Sequence, residues 1–231
     1  MNKQLFSFIV PILLFTAMLT SCSKDDDYKG ASSTVKGTIS SEHADWAEVG
    51  VSFDYGDTWA VTTPISNGKF TLELPTPDAK YLEPIMEDDD MPAAIKVSDK
   101  NAIGCGAVFC VRKGSQIEEM VLIDIKIAQT VSISAVSYMY VDRKVNITGS
   151  YDDEDGKTTL DMKLKPGWNT VVATLKASKS GKITMTVKTG NPPSGAVWVA
   201  GDDEMGWFGI SEISGMSGKS MIEKFRGIIL K

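Results

Sequence analysis

Few residues in this chain can do chemistry, and their spacing narrows what it could be. His43 is the only histidine. A Ser-His-Asp or Cys-His arrangement would have to use it. It stands in SSEHADW, beside an expected loop, and no GxSxG elbow exists to present a nucleophile. A solvent-facing histidine fits better, and a histidine-rich zinc site is excluded by count. Besides Cys22, the cysteines are Cys105 and Cys110, in GCGAVFC. Five positions apart on a flat strand, they point to opposite faces. A disulfide would need a tight bend at Gly104 or Gly106; otherwise they are two small buried hydrophobes. Carboxylates are plentiful, but paired-carboxylate glycosidase chemistry depends on a separation that sequence does not fix. The chain is therefore not expected to be an enzyme, and no catalytic residue, metal ligand or cofactor is assigned.

Two motifs fail on their details. GMSGKS ends as a phosphate-binding loop does, but the glycine required five residues before Gly218 is Ile213. YDDEDG would start a calcium loop at Tyr151, which cannot ligate, and would put Met162 where a glutamate belongs. It reads as a charged hairpin turn or an irregular Ca²⁺ site. Glu87 to Asp90 read as a solvated loop. VWVAGDDEMGWFGIS is more informative. Trp198 alternates with Val197 and Val199, as a core residue of a strand does. Trp207 and Phe208 follow a glycine and lie close after Asp202 and Asp203. Such a loop either stacks aromatic rings on a sugar while its acids accept hydroxyl hydrogens, or folds back to cap the core. Trp59, in GDTWAV, stands likewise as a candidate ligand-binding residue.

The elements that must position these residues are strands. GKFTLEL puts Phe70, Leu72 and Leu74 on one face. KVNITGSY, KTTLDMKL and KITMTVK alternate in the same way. Period-two runs between Gly, Pro, Asn and Asp clusters predict half-buried strands. Turns are predicted at SNGK, DDEDGK, KPGW, SKSGK and NPPSG, with Pro166-Gly167 suited to a type II turn. SMIEKF could form one short helix near the end. The fold class expected is all-β, as two β-sandwich domains covering 34–128 and 129–231, with a continuous sheet through the boundary as the alternative. The segment VKGTIS…VGVSFDYGDTWAVTTPISNGKFTLELP resembles a transthyretin-like, carboxypeptidase-regulatory type module, on Gly37, the Val49–Phe53 strand and Asn67-Gly68 before Phe70. The stretch from Tyr138, with its Gly167-Trp168-Asn169 turn, resembles uncharacterised Bacteroidota-type lipoproteins, a likeness that brings no activity with it.

The N-terminus is an address. Lys3 precedes an apolar run from Leu5 to Leu19, broken by Ser7, Pro11 and Thr16. A spanning helix needs ~20 apolar residues, so this shorter run reads as a signal peptide over residues 1–21. Leu19-Thr20-Ser21-Cys22 resembles the lipobox of bacterial lipoproteins, which implies acylation of Cys22. Ser23, Lys24, Asp25, Asp26 and Asp27 resemble the export signal of Bacteroidota-type surface lipoproteins; a solvated spacer would look similar. Residues 22–33 are then a flexible acidic tether, and the protein is expected on the outer membrane, lipid-anchored and exposed at the cell surface. Lys3 is the only charge on residues 1–21, so their removal takes the formal net charge from −6 to −7. An acidic chain repels phosphate backbones, so nucleic acid is not an expected partner. The expected partners are the bilayer, through acylated Cys22, and a glycan or protein ligand. Two functions follow: a non-catalytic binding module for an extracellular glycan, peptide or host protein, or an accessory subunit of an outer-membrane or fimbria-like assembly.

Overall fold

The computed structural model describes residues 33–39, 45–54, 58–85, 92–128, 130–152, 156–178 and 183–200. These residues are predominantly strand, and their one helical feature is a single 3₁₀ turn at Ala79–Tyr81. The strands run β1 (Thr34–Thr38), β2 (Glu48–Ser52), β3 (Trp59–Pro64), β4 (Lys69–Glu73), β5 (Glu83–Pro84), β6 (Lys96–Val97) and β7 (Ile103–Lys113). They continue as β8 (Gln116–Ile127), β9 (Thr130–Val141), β10 (Val145–Asp152), β11 (Gly156–Leu164), β12 (Gly167–Ser178), β13 (Ile183–Thr189) and β14 (Val197–Ala200).

β1 and β4 form a separate two-stranded sheet. The other strands join into one 12-stranded sheet, with the path β3-β2-β7-β8-β9-β12-β13-β11-β10-β6. All its pairings are antiparallel except β11 with β13. β7, β8 and β9 meet in an unusual way. The second half of β7 pairs with the first half of β8, Phe109 facing Met120. The second half of β8 pairs with the first half of β9, Leu122 facing Val136. The second half of β9 returns to the first half of β7, Tyr138 facing Ala107. Three mutually antiparallel strands cannot lie side by side in one plane. Each must turn away near its middle, close to Val108, Val121 and Ser137, so that three two-stranded legs diverge from one point.

Two large interiors flank this junction, beside a small cluster of Val131, Ile133 and Ala177. One gathers Val35, Trp46, Val49, Val51, Phe70 and Leu72 with Phe109, Val111, Met120, Trp168 and Trp198. The other gathers Ile85, Ile95 and Ala102 with Met139, Ile147, Leu160, Met162, Leu164, Met185 and Val187. β12 serves both, because alternate side chains leave a strand on opposite faces. Val172 enters the first core, and Val171 and Ala173 enter the second. The expected boundary near Ala128 and Gln129 falls between β8 and β9, which are paired as a hairpin. Both cores draw residues from both sides of it.

Candidate functional site

The Gly-Trp-Asn turn is where local sequence first produces a site. β11 ends at Leu164, and β12 begins at Gly167 with a positive φ of 94°. That value suits glycine and fits the predicted Pro166-Gly167 turn. Asn169 is fully buried, and its amide group closes the turn. Its Nδ2 donates to the Lys165 carbonyl at 2.7 Å and the Gly167 carbonyl at 2.9 Å. Its Oδ1 accepts from the Lys165 N–H at 2.9 Å. The turn thereby fixes the start of β12 and the direction of Trp168. The Trp168 indole N–H donates to the Pro75 carbonyl at 3.1 Å, 93 positions away in the chain.

Trp168 is the buried centre of an aromatic group that reaches the surface. Phe53, just after β2, stacks on it with ring centres 5.8 Å apart. Tyr140 on β9 meets it edge-on at 5.6 Å. Tyr81, from the 3₁₀ turn, meets Phe53 edge-on at 5.6 Å. Phe53, Tyr81 and Tyr140 are each partly exposed. Charged groups stand beside them. Asp54 accepts from the Ser52 hydroxyl at 2.6 Å and the Thr58 N–H at 3.0 Å. These bonds, the Ser52 one foremost, stabilise the carboxylate and hold Asp54 below its ordinary pKa. The Lys80 ammonium lies 4.5 Å from the centre of the Tyr81 ring. Its pKa is raised, first by its hydrogen bond and charge interaction with Tyr81 and further by Asp78 and Asp54. Partly exposed rings with an anion and a cation at their rim can stack on a flat apolar face and accept or donate hydrogen bonds around it.

Trp59 lies elsewhere, on β3. Its ring rests on Gly50, where a Cβ would lie 2.0 Å from a ring carbon. The Arg112 guanidinium lies over the ring, 4.0 Å from its centre. Arg112 also pairs with Glu48 at 2.9 Å. Trp59 is thus already engaged by a cation of its own chain, an arrangement worth ~0.5–1 kcal/mol at exposed sites. Trp198 is 2% exposed and packs on Phe70 and Phe109, as its alternation predicts for a core residue. Cys22, Ser23, Lys24, Asp25, Asp26, Asp27, Asp202, Asp203, Trp207 and Phe208 lie outside the described residues, as does His43.

Cys105 and Cys110 are free and buried. Burial pushes the Cys105 thiol up to about 12. It pushes Cys110 up to about 11, with a smaller push from the Glu119 charge. Thiols held so far from ionisation are poor nucleophiles and poor metal ligands. Among the described residues, no three of His, Cys, Asp and Glu converge where a metal ion could bind. Comparison of the chain with protein-family models, curated proteins and solved structures finds no match.

Sequence reasoning missed the aromatic group around Trp168. Phe53, Tyr81, Tyr140 and Trp168 come from four distant segments, and no local period links them. The one signal was the Gly-Trp-Asn turn, which marks Trp168 as a fixed anchor.

Proposed function

We propose that this protein is a lipoprotein, anchored through acylated Cys22 and displayed on the cell surface. There it acts as a non-catalytic binding module for an extracellular glycan, peptide or host protein. The observation that carries the binding role is the partly exposed trio Phe53, Tyr81 and Tyr140 around buried Trp168, rimmed by Asp54 and Lys80. Stacking on rings held by a packed anchor costs little ordering, which favours affinity. In this reading the transthyretin-like segment and the strands after residue 129 act together on one continuous sheet, since both cores draw residues from both sides of that boundary. Trp207, Phe208, Asp202 and Asp203 are further candidate ligand-binding residues in this reading.

Glycan and peptide arrays probed with wild type and Tyr81→Ala test the binding role. A ligand captured by wild type and weakened at least tenfold in the variant, with an unchanged melt, supports it. Equal capture by both proteins overturns the aromatic site. Cys22→Ala with fractionation tests the anchor: continued membrane retention with unchanged processing refutes it. Asp25 to Asp27→Ala with protease on intact cells tests display, and unchanged accessibility leaves only the spacer.

A further inference from the structure

The start of β1 and the aromatic site share one end of the first core. Thr34 opens β1 opposite Glu73 at the close of β4. Trp59 opens β3 opposite Ser52 at the close of β2, and Phe53 follows Ser52. A turn closed by paired bonds between Ser66 and Lys69 joins β3 to β4. The start of β3 and the close of β4 therefore lie together, at the end away from that turn. Hydrogen bonds tie this end to Trp168. The Ser33 carbonyl accepts from the Leu74 N–H at 2.7 Å. The carbonyl of the following residue, Pro75, accepts from the Trp168 indole. Residues 22–33, the tether of the proposed lipoprotein, thus join the fold beside the segment that holds the anchor of the aromatic site.

We propose that the ligand of the aromatic site is the neutral sugar headgroup of a lipid in the leaflet that carries the anchor. This rests on the reading of the protein as a surface lipoprotein that binds through these rings. A tether of twelve residues, 22–33, reaches ~40 Å when fully extended and spans ~20 Å on average as a flexible chain. The end of the core that carries Phe53, Tyr81 and Tyr140 is then the end held nearest the bilayer. A free polymer must enter the narrow layer between fold and membrane, whereas a lipid-borne sugar already occupies it. Confinement to that layer gives an effective concentration on the order of mM, so weak stacking suffices. The patch is short, with successive ring contacts of 5.6 to 5.8 Å, and matches a headgroup better than an extended chain. Its charges also favour a neutral sugar. Asp54 and Asp78 both act on the Lys80 charge, which leaves no surplus cation for a phosphate. Sugar hydroxyls can donate to the Asp54 carboxylate and accept from the Lys80 ammonium.

Surface plasmon resonance of the mature chain, residues 22–231 without acyl groups, over captured phosphatidylcholine vesicles tests this. The vesicles are plain, or carry galactosyl-, glucosyl- or mannosyl-diacylglycerol, or carry anionic phosphatidylglycerol. The expected result is binding to a sugar-bearing vesicle alone, competed by the matching methyl glycoside. Tyr81→Ala should weaken it at least tenfold with an unchanged melt. Equal binding to plain vesicles would mean that the rings dock on the bilayer itself, and it overturns the proposal. Preference for phosphatidylglycerol, or no binding to any sugar lipid, overturns it too. If arrays then capture a soluble ligand that Tyr81→Ala loses, this proposal fails alone and the binding role stands. Sugar-lipid binding that survives in Tyr81→Ala places the ligand elsewhere and overturns both.

Discussion

The two cores are built from different side chains. The first is aromatic, holding Trp46, Phe70, Phe109, Tyr138, Trp168 and Trp198. The second is filled by Val, Ile, Leu, Met and Ala, with Tyr151 only at its margin. Large rings pack irregularly and leave partners at the rim, so Phe53 and Tyr140 are only partly covered. Branched and linear aliphatics close a sheet more completely, and the outward positions above them, such as Lys157, Thr159 and Asp161 on β11 and Thr184, Thr186 and Lys188 on β13, carry hydroxyls and charges. Each core therefore gives the surface above it a different chemistry: stacking beside the aromatic core, hydrogen bonding and charge beside the aliphatic one.

The largest expected effects test whether these cores are separate. Trp198→Ala should cost ~3–5 kcal/mol and Leu160→Ala ~2–5 kcal/mol in urea melts. β14 and β11 lie several strands apart, so the double variant should equal the sum within ~0.5 kcal/mol. A coupling above ~1 kcal/mol would show that β12 transmits strain between the interiors and would break the comparison.

Asn169 sits at the start of the strand both cores share. Asn169→Ala should cost ~1–3 kcal/mol, because it strands the Lys165 and Gly167 backbone groups. Asn169→Asp sharpens the point. A carboxylate can accept from the Lys165 N–H but cannot donate to the two carbonyls. Thermal melts should place it close to the alanine variant. Full stability in Asn169→Asp would mean that the donated bonds contribute nothing.

Cys105 and Cys110 predict an alkaline weakness. Their folded pKa values, about 12 and about 11, lie above the ordinary value of 9.0. Stability from keeping them neutral is complete below pH 9 and is lost as pH rises through 11 and 12, because only the unfolded chain ionises them readily. Iodoacetamide at pH 8 should leave both unmodified until urea is added. Labelling of either thiol in the folded protein would refute the burial.

Local order was legible in the sequence, and long-range order was not. The alternation of GKFTLEL, KVNITGSY, KTTLDMKL and KITMTVK places β4, β10, β11 and β13, and the core position of Trp198 follows from its neighbours. SNGK forms its turn, with Asn67 and Gly68 at φ of 53° and 69°. The junction of β7, β8 and β9 was invisible, since pairings such as Gly104 with Val141 leave no local period. The sequence offers Trp59 as a candidate ligand-binding ring because it does not reveal that Arg112 arrives over it from β7. The role of Asn169 is not visible in the turn motif, since its buried bonds to Lys165 and Gly167 depend on the path of the whole connection.

The smallest effect tests the alternation itself. Thr186 and Val187 are adjacent on β13, one facing outward and one fully buried in the aliphatic core. Thr186→Val keeps the branched shape and the strand preference while removing a hydroxyl that solvent can reach. Its stability should stay within ~0.5 kcal/mol of wild type. Val187→Thr changes the same atoms in the opposite sense one residue later. It puts a hydroxyl among Met162, Met185 and Leu160, and should cost ~1–3 kcal/mol. A one-residue slip of register exchanges the two faces of a strand. If the costs came out reversed, β13 would be turned over, and the aliphatic core and the outward position of Thr186 would be lost together.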